Sequence, residues 1–241
     1  MDTVAKDGVI FVATGDYARA AVKAAESVRK FCPTLGLQLF TDHPDVPPGV
    51  FDRISPIENP HMRSKVDFLP HTVFERTLYL DTDVRIAEDI REMFSLLDRF
   101  DIAVAHAHAR NQPSTNELWR CRIPESFPQM NGGVILYKNS PPVMKLLTDW
   151  GTCYKEAGFK KDQVTLRELL WSSDLRIATL PPEYNIRSSK YLKVWETKEA
   201  RPKILHYARF HTDLGLTSKA VRTRWKRRLN RVRSLLGING T

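Results

Sequence analysis

Hydrophobic positions along the chain fall into short continuous runs separated by stretches of helical periodicity. Residues 8–14, GVIFVAT, form an unbroken apolar and β-branched run ended by Gly15 and Asp16, which predicts a buried first strand. Over residues 17–31 the small apolar positions Ala21, Ala24, Ala25 and Val28 recur at helical spacing until Pro33, which predicts a helix. Residues 35–40 predict a second strand. The same reading gives strands at 77–80, 102–105 and 133–137 and helices at 90–97, 143–154 and 163–171. This alternation predicts an α/β domain of three layers, with a mostly parallel central sheet flanked by helices. Residues 111–129, with three prolines, interrupt the alternation. They predict an excursion beside the sheet, where open α/β folds receive ligands, and so part of a ligand-facing surface.

Charge changes this picture in one place. The 241 residues carry a formal net charge of +9, yet residues 217–241 hold eight Lys or Arg and no Asp or Glu, so the body is close to neutral. The expected organisation is a catalytic domain over 1–216 and a basic amphipathic appendage over 217–241. In the appendage Val221, Trp225, Leu229, Val232 and Leu236 form one apolar stripe at helical spacing, flanked by Arg222, Arg224, Lys226, Arg227, Arg231 and Arg233. That stripe suits peripheral association with an anionic membrane or packing against the domain. The neutral body supplies no matching basic face for nucleic acid. Cys32, Cys121 and Cys153 stand far apart without a CxxC pair, which argues against a disulfide framework or a structural zinc site and for a reducing compartment. No signal-peptide pattern opens the chain and no apolar run has bilayer-spanning length, so a cytoplasmic protein is expected, at the cytoplasmic face of a membrane if the tail binds lipid.

The candidate chemistry centres on YLDTDV at residues 79–84. An apolar strand there delivers Asp81 and Asp83, with Thr82 between them, to its C-terminal end. Two such carboxylates can hold a hard cation, Mn²⁺ or Mg²⁺, that also binds a diphosphate. The same DxD spacing also occurs in surface turns. Asn131, Gly132 and Gly133 precede another apolar strand and permit close approach of a ligand or a plain tight turn. Asp162 and Gln163 open a helix that Asp162 could simply cap. Tyr17 suits either base stacking or a helix-end packing role. His206 suits either metal ligation or an ordinary buried hydrogen bond.

Taken in order, FVATGDY at 11–17, SKVDFL at 64–69, YLDTDV at 79–84, NGGVILY at 131–137, DQ at 162–163, PPEYNI at 181–186 and ILHY at 204–207 resemble the DxD nucleotide-sugar glycosyltransferases, especially retaining family 8. The resemblance covers about 200 residues. It implies a single GT-A, Rossmann-like domain and a metal held by Asp81, Asp83 and His206, with Asp81 also reaching the donor ribose. It further implies a nucleotide cradle of Ala13, Thr14, Asp16 and Tyr17, and a diphosphate met by Arg63 or Lys65. Asn131, Asp162 and Gln163 would lie against the donor sugar. The implied donor is a UDP-sugar, with guanosine as the other base, and the acceptor is a saccharide, glycolipid or protein hydroxyl. The chain departs from the family after His206, where the usual Gly and Lys are missing. Arg209 or Lys219 would then supply the leaving-group cation, and His211 becomes a rival metal or phosphate residue. If the reaction inverts, Asp162 or Glu183 is the candidate base. Competing readings are a sugar nucleotidyltransferase, against which TGDYAR offers no basic Gly-rich triphosphate loop, and a non-enzymatic membrane- or nucleic-acid-binding module.

Overall fold

The computed structural model describes residues 5–216; the basic appendage and Lys219 lie outside the described residues. In chain order the elements are β1 (Asp7–Ala13), α1 (Tyr17–Phe31), β2 (Gly36–Thr41), β3 (Arg53–Pro56), α2 (Lys65–Phe68), β4 (Arg76–Leu80), β5 (Val84–Ile86) and β6 (Ile102–His106). They continue with β7 (Met130–Lys138), α3 (Pro141–Ala157), α4 (Gln163–Trp171), β8 (Ile177–Thr179), α5 (Tyr191–Val194), β9 (Ile204–His206) and α6 (Arg209–Asp213). Seven strands form the central sheet in the order β3-β2-β1-β4-β7-β6-β8, and β5 pairs with β9 in a small second sheet.

The central sheet is covered on both faces, as its continuous apolar strands require. Along β1, Val9 and Phe11 face a core shared with Ala21, Ala25 and Val28 of α1 and with Met93 and Phe94. Ile10 faces the opposite core, with Val143, Leu147 and Trp150 of α3 and Leu166 of α4. The predicted helix at 90–97 is instead a 3-10 helix, Arg91–Asp98. Met93, Phe94 and Leu97 are buried as the periodicity requires, so the apolar face is kept although the winding is tighter. Cys32 and Cys153 are buried and all three cysteines are free. Among the described residues no helix is long and apolar enough to cross a membrane.

The direction of β7 matters most for the site. It runs antiparallel to both β4 and β6, whereas the other pairings in the large sheet are parallel. Its first residues therefore lie beside the C-terminal end of β4, and Asp81 N–H donates to the Gly133 carbonyl at 2.8 Å.

Candidate active site

Four chain segments meet where β4 ends. β4 delivers Asp81, and β5 begins immediately after Asp83. β5 pairs antiparallel with β9 so that Val84 faces His206, and Tyr207 N–H closes the ladder onto the Asp83 carbonyl at 2.9 Å. A histidine remote in sequence thereby reaches the carboxylates: His206 Nε2 lies 3.0 Å from Asp83 Oδ1 and 3.7 Å from Asp81 Oδ2. Ligand atoms of Asp81, Asp83 and His206 all fall within 4.8 Å of one another.

The surroundings match a metal-binding role for this trio. Asn185 Oδ1 sits 2.7 Å from His206 Nδ1. An amide oxygen accepts, so with Nδ1 as the donor the Nε2 lone pair would be available to a cation placed between the ring and the carboxylates. A Cβ built on Gly133 would overlap both Asp81 Oδ2 and His206 Cε1. Gly133 has no positive φ, so close approach, rather than an unusual dihedral, is what demands glycine there. Burial alone would push the Asp83 carboxyl up, but His206 beside it, with Arg187 and His211, holds it below the ordinary carboxylate value. Two carboxylate oxygens and one imidazole nitrogen form a donor set suited to a divalent cation.

A second layer fixes Asp81. Tyr79, two residues earlier on the same strand face, donates its hydroxyl to Asp81 Oδ1 at 2.6 Å. Lys65 Nζ, almost fully buried, lies 3.2 Å from both Asp81 Oδ1 and Asp162 Oδ2 and donates to the Gly132 carbonyl at 2.7 Å. Burial pulls the Lys65 ammonium down, but Asp162 and Asp81 outweigh it and raise the group above the ordinary lysine value. Asp162 makes no side-chain capping bond at the start of α4; its Oδ2 forms an ion pair with the Lys65 ammonium, without a well-aligned hydrogen bond among the described residues.

A cleft of about 620 Å³ opens over this cluster. It is lined by Ala13, Thr14, Tyr17, Arg63, Lys65, Asp81, Thr82, Asp83, Asn131, Asp162, Gln163, His206 and His211 among the residues singled out in the sequence. Asn131 Oδ1 accepts the Gly133 N–H at 3.1 Å. Arg63 Nε is buried without a hydrogen-bond partner among the described residues. Tyr17 packs edge-on against His211, with ring centroids 4.9 Å apart, and donates its hydroxyl to the Leu216 carbonyl at 2.9 Å. His211 Nε2 lies 2.8 Å from Thr82 Oγ1.

Three expected residues stand elsewhere. Asp16 is exposed and borders a shallow neighbouring depression, beside Asp42, rather than the main cleft. Arg209 stacks its guanidinium over the Tyr207 and Phe210 rings at 5.2 and 5.6 Å and does not line the cleft. His211, two residues on, lines it instead. Glu183 sits in a 3-10 turn, Pro182–Tyr184, outside the cleft lining. Sequence reading missed Tyr79, Asn185, Lys161 and Arg187, the last with Nη1 3.8 Å from Asp83 Oδ2. For Tyr79 the signal was present in the period-two alternation that sets it on the same face as Asp81.

The fold is that of the GT-A glycosyltransferases. The galactosyltransferase LgtC, solved in complex with donor and acceptor sugar analogs, superposes with a TM-score of 0.59 at 16% identity, covering 83% of this chain and 87% of that one. The glycosyltransferase GlyE of Streptococcus pneumoniae TIGR4 superposes with a TM-score of 0.59 at 18% identity over 89% of this chain. That match spans 55% of GlyE, so the present chain corresponds to about half of it. Neither a family model nor a curated protein sequence matches the chain.

Proposed function

We propose that this chain is a metal-dependent glycosyltransferase that moves a sugar from a nucleoside diphosphate donor, with a UDP-sugar as the leading candidate, to an acceptor hydroxyl. The observation that carries the reading is the Asp81, Asp83 and His206 cluster at the carboxyl end of β4, open to a cleft in a glycosyltransferase fold. When bound there, Mn²⁺ or Mg²⁺ supplies charge stabilisation for the departing diphosphate. Ala13 and Thr14 at the end of β1 hold the nucleoside, with Tyr17 at its edge. Arg63, whose buried Nε lacks a hydrogen-bond partner among the described residues, meets the diphosphate oxygens. Asn131 and Gln163 orient the donor sugar.

Retention of configuration suits this arrangement. The anomeric carbon to phosphate-oxygen bond breaks, the acceptor oxygen bonds the same face of the carbon, and its proton passes to the departing phosphate oxygen. No free carboxylate is needed as base: Asp162 is tied to Lys65, and Glu183 lies outside the cleft lining. Lys65 therefore acts as a positioning residue for Asp81 and the Gly132 carbonyl. A cytoplasmic setting, with the basic appendage resting on anionic membrane, belongs to the same proposal and is supported by the charge and apolar stripe of residues 217–241.

A calorimetric panel of UDP-sugars and GDP-sugars, titrated in Mn²⁺ and again in EDTA, tests the donor assignment. Metal-dependent binding of a UDP-sugar, followed by slow release of UDP, is the expected result. Failure of every sugar nucleotide to bind in Mn²⁺ would overturn it.

A further inference from the structure

Beyond the metal cluster, on the side away from β1, the cleft has a wall for which the transfer steps give no use. His108 follows β6, Lys161 precedes α4 and Arg187 precedes α5, and all three line the cleft. Arg110 and Lys190 stand just outside them. Tyr191 ties the wall together: its hydroxyl lies 3.2 Å from His108 Nδ1 and the two rings meet edge-on at 5.5 Å.

Apart from Arg187, whose Nη1 lies 3.8 Å from Asp83 Oδ2, the cations of this wall have no carboxylate partner among the described residues. The only carboxylates lining the cleft, among the described residues, are Asp81, Asp83 and Asp162, and they are engaged by Lys65 and His206 on the floor. Among the described residues no carboxylate lies within 4.0 Å of Arg110, Lys161 or Lys190. Several cations elsewhere on the body are paired, as in Arg76 with Asp7, Arg176 with Asp101 and Lys203 with Glu88. Lys161 is also held in place, with Nζ 2.8 Å from Ser114 Oγ. Burial first, and then the basic groups Arg187, Arg110, His106 and Lys190, depress the proton affinity of His108, which reports one sign of field at this spot. In a body close to neutral, like charges gathered at one cleft mouth repel one another, and an anion seated among them relieves that cost.

We propose that the acceptor carries a negatively charged group, a carboxylate or phosphate beside the reacting hydroxyl, and that Lys161, Arg187 and His108 seat it, with Arg110 and Lys190 extending the attractive field. Tyr191 and Trp195, stacked at 5.2 Å beside this wall, offer the apolar face against which a sugar ring or alkyl aglycone lies. The proposal rests on the transferase reading for the word acceptor, but the anion site itself does not depend on it.

The test uses the full chain with UDP and Mn²⁺ present and two matched pairs that differ only by a carboxylate: glucuronate against glucose, and octyl glucuronide against octyl glucoside. Binding is read by ligand-observed NMR, and UDP affinity is measured separately by calorimetry. The charged member of a pair is expected to bind about tenfold more tightly at low salt, with the advantage shrinking as salt rises. The double variant Arg110→Glu with Lys161→Gln should lose that advantage and keep its UDP affinity. Discrimination only within the octyl pair supports a lipid-linked acceptor; discrimination within both supports a free saccharide. Equal binding of charged and neutral twins, or no binding of either charged compound in the millimolar range, overturns the proposal, as does a variant that keeps the full preference. If UDP fails to bind while the charge preference stands and is lost in the variant, the anion site survives and the donor assignment falls.

Discussion

Gly133 leaves no space for a methyl group between the Asp81 carboxylate and the His206 ring, while at Gly132 the nearest obstacle is the flexible Lys65 Nζ at 3.3 Å. Gly133→Ala should therefore push the ligands apart and weaken Mn²⁺ binding by roughly tenfold or more, whereas Gly132→Ala should be milder. Electron paramagnetic resonance of bound Mn²⁺, with circular dichroism as the fold control, separates the two. Asn185→Leu removes the acceptor that sets the His206 tautomer, and a loss of about 10- to 100-fold in Mn²⁺ affinity is expected with the fold retained. Asp83→Ala should abolish metal-dependent turnover in a chain that still gives a folded spectrum; full activity would refute its role. At this scale the sequence was informative wherever a motif is local. Asp81 and Asp83 stand out because a strand ends between apolar residues and paired carboxylates. Asn185 and Arg187 do not, because their positions depend on Ile186 bridging Leu205 of β9, a pairing that no local pattern encodes.

At the scale of elements, long periodic stretches were legible and short ones were not. Helix α4 carries its apolar period over nine residues and was bounded correctly, while β5, β8 and β9 have three residues each, too few for alternation to register. Strand direction was invisible for a different reason: apolar periodicity is the same for either sense, so β7 could not be told from its parallel neighbours. The edge strand β8 shows how such a short element is held. Asp101, beside the start of β6, accepts Arg176 N–H at 2.9 Å and its guanidinium at 3.0 and 3.2 Å, with Lys138 Nζ at 3.4 Å. Hydrogen bonds from the Arg176 side chain lead in bringing the Asp101 carboxyl down to about 2. A carboxyl lowered on folding contributes stability above its unfolded value near 4 and loses it as pH falls through the folded value. Asp101→Asn should thus cost about 1 kcal/mol at neutral pH, discounted for the exposed Arg176, and the gap from the parent chain should close between about pH 4 and 2. Urea unfolding at stepped pH measures it; a gap independent of pH would remove the ion pair as its cause.

For the molecule as a whole, the division between a nearly neutral body and a strongly basic appendage lets the proposed lipid binding be tested apart from the proposed catalysis. Cosedimentation with anionic and neutral liposomes should favour the full chain on anionic vesicles, increasingly at low salt, over a chain ending at 216. Equal binding by the shortened chain would locate the attraction in the body. The partnership of β5 with β9 has a kinetic meaning as well. More than a hundred residues separate Asp83 from His206, and a contact of such sequence separation incurs its loop-closure entropy before it returns any interaction energy. On that ground we expect the complete ligand set to assemble late in folding, after the barrier has been crossed. Saturating Mn²⁺ should then slow unfolding while leaving the refolding rate nearly unchanged, with about 2.7 kcal/mol of added stability at a hundredfold excess over its dissociation constant. Stopped-flow denaturant jumps with and without the ion decide it: acceleration of refolding would mean that the two strands find each other early, and that a bound cation acts as a template for the fold rather than a lock upon it.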